Sequence, residues 1–205
     1  MKAIGISGSP RRHGNTETLL DAFLEGVASE EADVSKVVLR ELEFSSCKGC
    51  NACHKTGVCV LKDELTPLFD EILDADILAL ASPIYSMGVT AELKAFIDRG
   101  QVYWARKFIL KDLYFDYHHI KRHKGFFIST AGQNWDHVFD GAYPVITAFF
   151  NDTGFEYTDN IIANNMDEYK GIKGHPTALE DAKKRGRKVV GELQSISKKN
   201  EIGDL

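Results

Sequence analysis

What most restricts this chain is an alternation: short β-rich apolar runs take turns with longer segments whose apolar residues recur at helical spacing. Lys2-Ala3-Ile4-Gly5-Ile6 reads as a first strand and ends in Ser7-Gly8-Ser9-Pro10. After Gly14-Asn15-Thr16, the residues Leu19, Leu20, Phe23 and Val27 fall on one helical face. The same reading predicts strands over 34–39, 76–81, 125–129 and 155–163, and helices over 64–73, 91–101 and 138–151. A final exposed helix is predicted from 177 to about 198, where Glu180 and Lys184, then Asp181 and Arg185, are acid-before-base pairs at i,i+4.

Five β units separated by helices imply a parallel sheet covered on both faces, because parallel strands need crossover connections. Right-handed crossovers make this a three-layer, doubly wound α/β architecture. In strand order 2-1-3-4-5 the first, third and fourth loops lie side by side at the switch point. Residues 1–205 read as one domain, a length that buries enough surface to be stable without staples. It carries a cysteine-rich loop at 45–60 and an irregular aromatic insertion at about 103–124, with Tyr103, Trp104, Phe108, Tyr114, Phe115 and Tyr117. That insertion is expected to cover a site, to pack against another subunit or to join the core.

A net charge of −5 argues against nucleic acid as the main partner, and the local run Lys121-Arg122-His123-Lys124 reads as a solvated turn. No apolar stretch approaches the roughly 20 residues needed to cross a bilayer, so no membrane partner is expected. Met1-Lys2 passes straight into a strand with no secretory pattern. The expected compartment is the cytoplasm, where thiols stay reduced.

The first loop, Ser7 to Thr16, joins a strand to a helix, and a helix N-terminus offers unpaired N–H groups and partial positive charge. Gly8 and Gly14 allow close backbone approach, while Ser9, Thr16, Asn15 and Arg11 complete an anion shell. The plain alternative is a hydrophilic turn that caps a helix. Neither a nucleotide-triphosphate loop nor a Gly-x-Gly-x-x-Gly dinucleotide fingerprint is present. Ser82-Pro83-Ile84-Tyr85-Ser86-Met87-Gly88 follows the third strand, and Thr130-Ala131-Gly132-Gln133-Asn134-Trp135 the fourth. A phosphate loop flanked by two loops of small residues and an aromatic suits a phosphate joined to a flat ring.

Ser7-Gly8-Ser9-Pro10-Arg11 with Gly14-Asn15-Thr16, then Pro83-Ile84-Tyr85, then Leu93-Lys94-Ala95-Phe96-Ile97-Asp98-Arg99 resemble the NAD(P)H-dependent FMN reductase branch of the flavodoxin-like superfamily. The resemblance spans residues 1 to about 135. It implies a flavodoxin-like fold with FMN phosphate at Ser7, Ser9, Arg11, Asn15 and Thr16. It implies isoalloxazine contacts from Pro83, Ile84, Tyr85, Ser86, Thr130, Ala131 and Gly132. It also implies a homodimer or homotetramer with flavin sites near the subunit interfaces.

All four cysteines fall within the run Cys47 to Cys59, spaced C-x₂-C-x₂-C-x₅-C. Thiolates this close can wrap one iron–sulfur cubane, and Gly49 and Gly57 ease the sharp turns required. A structural zinc site, which more often uses two separated knuckles, disulfides and unligated thiols stay as alternatives. His54 is expected to face solvent. Beside the FMN motifs, the spacing resembles the archaeal and anaerobic iron–sulfur flavoproteins. That implies a [4Fe-4S] cluster at Cys47, Cys50, Cys53 and Cys59 exchanging electrons with FMN.

The expected function is therefore an oxidoreductase relay fed by a donor such as ferredoxin or NAD(P)H. No acid–base residue is required, since the cofactors carry the chemistry. Tyr85, His118, His119 and Trp135 are available to touch a substrate. A cluster-free NAD(P)H-dependent reductase of FMN, quinones or nitro and azo compounds is the second reading. A non-enzymatic flavodoxin-like electron carrier is the third.

Overall fold

The computed structural model describes the backbone of residues 1–203 and the side chains of residues 1–198. Strands β1 (Lys2–Ser7), β2 (Asp33–Val38), β3 (Ile77–Pro83), β4 (Lys124–Thr130) and β5 (Glu156–Ala163) form one sheet in the order β2-β1-β3-β4-β5. Every ladder is parallel. The inner strands are near-continuous apolar runs because both of their faces are covered. Edge strand β2 mixes exposed and half-buried positions, and β5 runs from half-buried and exposed residues to buried Ile161 and Ala163.

Period-two alternation divides the core between the two faces. From β3, Ile77, Ala79 and Ala81 point to one layer, where helices α1 (Asn15–Ala28) and α8 (Ala178–Gly203) cover them. Leu78 and Leu80 point to the other layer. There α3 (Leu65–Leu73), α4 (Ala91–Arg99) and α7 (Tyr143–Thr153) pack around Phe69, Phe96, Phe149 and Phe150. The short helices are α2 (Cys53–Thr56), α5 (Gln101–Trp104) and α6 (Tyr117–Arg122). Among the described residues no helix is long and apolar enough to cross a membrane.

Several sequence expectations change. Helix α8 is not simply exposed: Ala182, Val189, Val190 and Leu193 are buried against the α1 layer. Its ion pairs also differ from the i,i+4 expectation, with Glu180 bonded to Arg187 at 2.9 Å and Arg185 to Asp159 at 2.8 Å. The helix predicted over 138–151 begins only at Tyr143, with a proline in its first turn. Its expected front end folds back as turns that bury Val138 and Phe139.

The basic run at 121–124 is an ion-pair clamp rather than a solvated turn. Lys121 and Lys124 both bond the Glu156 carboxylate at the start of β5, and Lys124 is buried. Burial alone would raise the Glu156 pKa, but the hydrogen bonds from the two lysines outweigh it and hold the carboxyl low. The aromatic insertion splits in two. Its front half is α5 and a π-helical turn at Ala105–Leu110, with Tyr103 buried and its hydroxyl donating to Phe69 O at 2.7 Å. Its back half stacks His119 on His123, ring centroids 3.7 Å apart, at the amino end of β4.

Candidate functional site

Because β1, β3 and β4 are neighbours, the loops leaving their carboxyl ends converge at one edge of the sheet. An open groove lies there. Its first wall is Ser9, Arg11, Gly14, Asn15 and Thr16. Pro83, Ile84 and Tyr85 form the second wall and Thr130, Ala131 and Gly132 the third.

The α1 end is built for an anion. Its N-cap is Gly14, with extended φ −71° and ψ 175° and no side-chain cap, so the first-turn N–H groups have no capping acceptor. The first helical bond is Thr18 N to Gly14 O at 2.9 Å. Arg11 stands in the wall, and Arg40 donates to Ser9 O at 3.0 Å. Behind the loop, buried Glu17 accepts from Arg40 at 3.0 Å and from Lys36 at 3.2 Å. Burial pushes its carboxyl up, yet these bonds prevail and keep it ionised below its usual range. Its charge is thereby neutralised, and it does not repel an incoming phosphate.

Packing fixes the loop's position. Gly8 O accepts from Thr90 Oγ1 at 2.6 Å, and Gly8 N donates to Ala81 O at 2.8 Å. A Cβ at Gly8 would sit 2.6 Å from Leu93 Cβ, so only glycine fits between loop and helix α4. Thr16 Oγ1 and Thr130 Oγ1 lie 2.6 Å apart, bridging the first and fourth loops. Asn15 Oδ1 is occupied by Ile172 N at 3.0 Å, which leaves its amide nitrogen for a ligand.

Around the flat part of the groove, Ile84 N donates to Thr130 O at 2.9 Å and Ala131 N to Ala163 O at 3.0 Å. Tyr85 and Gly88 exchange backbone bonds at 2.9 and 3.0 Å across Ser86 and Met87. Those two residues have φ of 49° and 64°, a two-residue turn that normally favours glycine or asparagine. Such strain is held at sites where surrounding contacts over-determine the backbone. The hairpin leaves Tyr85 and Met87 about 45% and 42% exposed beside the groove.

Two residues expected here stand outside the walls. Ser7 is fully buried behind the loop with an unpartnered hydroxyl, and Ser86 is exposed on the hairpin tip. Trp135 is 61% exposed in a turn. His118 and His119 precede β4, so they sit at its amino end, the opposite edge from the groove. Met166 and Asp167, after β5, complete the lining and were not anticipated. Asp167 accepts from Gln133 at 2.8 Å. No motif marks them; the only signal is that a loop after the strand beside β4 must reach the same edge. An uncapped helix N-terminus beside Arg11 and the Asn15 amide, opening into a slot between three loops, fits a phosphate carrying a planar ring.

The four cysteines line one pocket together with Arg99, Gln101 and Val102. Left-handed backbone at Gly49 (φ 63°), Asn51 (φ 57°) and Gly57 (φ 68°) wraps the loop around it. Cys47 and Cys50 are exposed, Cys53 and Cys59 half-buried. Burial foremost, then the neighbouring sulfurs, pushes the Cys53 thiol up, while its Sγ sits 4.0 Å from Gln101 O. His54 does not face solvent as expected: it lies against Trp104, centroids 5.8 Å apart, with Nε2 buried and unpaired. Among the described residues no three His, Cys, Asp or Glu side chains converge as ligands of a single ion. A cubane makes a different demand, one thiolate per iron from separate corners, and a four-thiol pocket supplies that donor set.

The groove and the pocket lie at opposite ends of α4. Thr90, its N-cap, bonds the phosphate-type loop, while Arg99 and Gln101 face the cysteines. Nine residues separate them by about 13 Å of helix.

Fold and groove together define a flavodoxin-like α/β protein with a nucleotide-type site at the sheet's switch point. The chain belongs to the NADPH-dependent FMN reductase family, whose model matches residues 1–135. An iron–sulfur flavoprotein of Archaeoglobus fulgidus is 41% identical over 106 residues, 52% of this chain and 48% of that one. An iron–sulfur flavoprotein of Methanosarcina thermophila is 34% identical over 112 residues, 55% of this chain and 59% of that one. The chain thus spans about half the length of the curated relatives it matches. An azoreductase from Bacillus anthracis superposes with a TM-score of 0.66 at 16% identity, covering 92% of this chain and 99% of that one. That likeness shows the fold.

Proposed function

We propose that this protein is an FMN-dependent oxidoreductase that exchanges electrons between a [4Fe-4S] cluster and the flavin. The observation that carries the reading is the pairing, in one small chain, of a phosphate-and-ring groove with a pocket lined by four thiols. Bound there, FMN would supply two-electron chemistry and the cluster one-electron chemistry.

The protein's own part is binding and placement. The α1 N-terminus, Ser9, Arg11, Asn15 and Thr16 hold the phosphate, and Ser7 lies buried behind that loop. Pro83, Ile84, Tyr85, Thr130, Ala131 and Gly132 seat the ring, with Ser86 shaping the hairpin that borders it. Cys47, Cys50, Cys53 and Cys59 hold the cluster. The donor is a low-potential carrier such as ferredoxin, or NAD(P)H. Assembly as a homodimer or homotetramer is supported by the exposed apolar residues Val58, Val60, Phe108 and Ile109, of which Val60 lines the cysteine pocket.

The test is anaerobic flavin reduction in wild type and Cys53→Ser. With a one-electron donor, flavin bleaching should slow at least tenfold in the variant, while bleaching by NAD(P)H stays unchanged. Equal rates with the one-electron donor would instead favour a cluster-free NAD(P)H-dependent reductase.

A further inference from the structure

We propose that Arg99 tunes the cysteine pocket: its guanidinium is the fixed positive charge that sets how readily a cluster on the four thiolates accepts an electron. This rests on the cluster reading above and names the residue that governs its redox balance.

Arg99 closes α4 and is the largest fully buried side chain among the described residues, 2% exposed. One terminal nitrogen donates to Ser45 O at 2.8 Å and to Asp63 Oδ2 at 2.6 Å. The other donates to Asp63 Oδ1 at 3.1 Å and to Leu61 O at 3.5 Å. The remaining donor, Nε, is shielded from solvent and has no partner. Arg99 lines the cysteine pocket together with all four cysteines. A buried cationic N–H without an acceptor is costly, so natural structures keep one where a ligand completes it. A cluster thiolate is such an acceptor.

Asp63, which also accepts from Ser45 N at 3.2 Å and Leu65 N at 3.3 Å, offsets part of this charge, so the balance at the pocket depends on both residues. Lys48 is the other cation of the pocket, but it is exposed and screened by water and salt. Adding one electron makes the pocket one unit more negative. A dry cation next to it stabilises that reduced form, and a hydrogen bond to a ligand sulfur acts in the same direction.

The experiment is anaerobic reconstitution with iron and sulfide of wild type, Arg99→Gln, Arg99→Lys and Asp63→Asn, followed by dye-calibrated reductive titration. Bound flavin at the far end of α4 reports that each variant is folded. Arg99→Gln should shift the reduction equilibrium at least tenfold against the reduced cluster, about 59 mV for a one-electron couple. Arg99→Lys should restore most of that shift, and Asp63→Asn should move the equilibrium the opposite way. A merely structural arginine would not produce displacements of opposite sign. If every loaded variant matched wild type, the inference would be overturned and the cluster reading left standing. Should Arg99→Gln fail to fold, Asp63→Asn decides: an easier reduction supports the proposal and an unchanged one overturns it. A wild type that takes up no iron overturns the cluster reading and the inference with it.

Discussion

Gly8→Ala should weaken the phosphate loop without touching any group that contacts the ligand. The added Cβ would lie 2.6 Å from Leu93 Cβ and 3.3 Å from Ala81 O. Carbon atoms in contact prefer about 3.5–4.0 Å, so loop and helix must part by roughly 1 Å. Leu93 cannot yield by rotating, because the clash is with its Cβ and the residue is fully buried in the first turn of α4. The displacement falls on the 2.6 Å bond from Thr90 to Gly8 O. Overpacking of this kind costs about 1–3 kcal/mol, which for this chain length lowers Tm by about 2–12 °C. A loop displaced by that much loses one or two charge-assisted bonds to a phosphate, weakening FMN about ten- to a hundredfold. Thermal unfolding of the apoprotein and quenching of FMN fluorescence measure the two effects. Leu93→Ala should not rescue them, since alanine keeps the Cβ. A Gly8→Ala protein with wild-type Tm and wild-type FMN affinity would refute the reasoning.

Other outcomes follow from the same contacts. Thr16→Val strands the Thr130 hydroxyl in a buried site and should cost about 1–3 kcal/mol by denaturant unfolding, with weaker FMN binding; Thr16→Val/Thr130→Val should recover part of the stability. Tyr103→Phe removes the bond to Phe69 O and should cost about 1 kcal/mol by the same assay, leaving flavin affinity intact. Burial, aided by the charge of His123, holds the His119 pKa down at about 4. The unfolded chain therefore binds the proton first as pH falls, so stability is intact above about 6.5 and declines towards pH 4. With solvent screening of this half-buried ring the loss is about 1–2 kcal/mol, and His119→Phe should flatten that part of a stability–pH curve.

The sheet was legible because its signals are local and redundant. Each inner strand is a short apolar run closed by Ser, Pro or Gly, and each crossover helix shows a 3.6-residue stripe. The groove was legible for a topological reason: once the strand order is 2-1-3-4-5, three loops have one destination. What stayed hidden depends on long-range partners. Lys121 and Lys124 look like a solvated turn until Glu156 arrives from β5, and Arg185 of α8 pairs with Asp159 of β5 rather than with Asp181 one turn away. Met166 and Asp167 sit in a loop with no motif of its own. The role of the aromatic insertion was not legible because its residues divide between partners distant in sequence: Tyr103 bonds Phe69 in the core, while His119 stacks on His123 at the foot of β4. Arg99 looked like the end of a family motif; its burial and its idle Nε exist only once the loop of residues 45–63 folds over α4.

The most direct test is to count iron, acid-labile sulfide and FMN on one anaerobically purified sample, with its visible spectrum. A two-cofactor oxidoreductase requires about four irons and four sulfides per flavin, with broad absorbance that bleaches on reduction. Flavin without iron, even after anaerobic reconstitution, would contradict the relay, and iron without flavin would contradict the assignment of the groove itself.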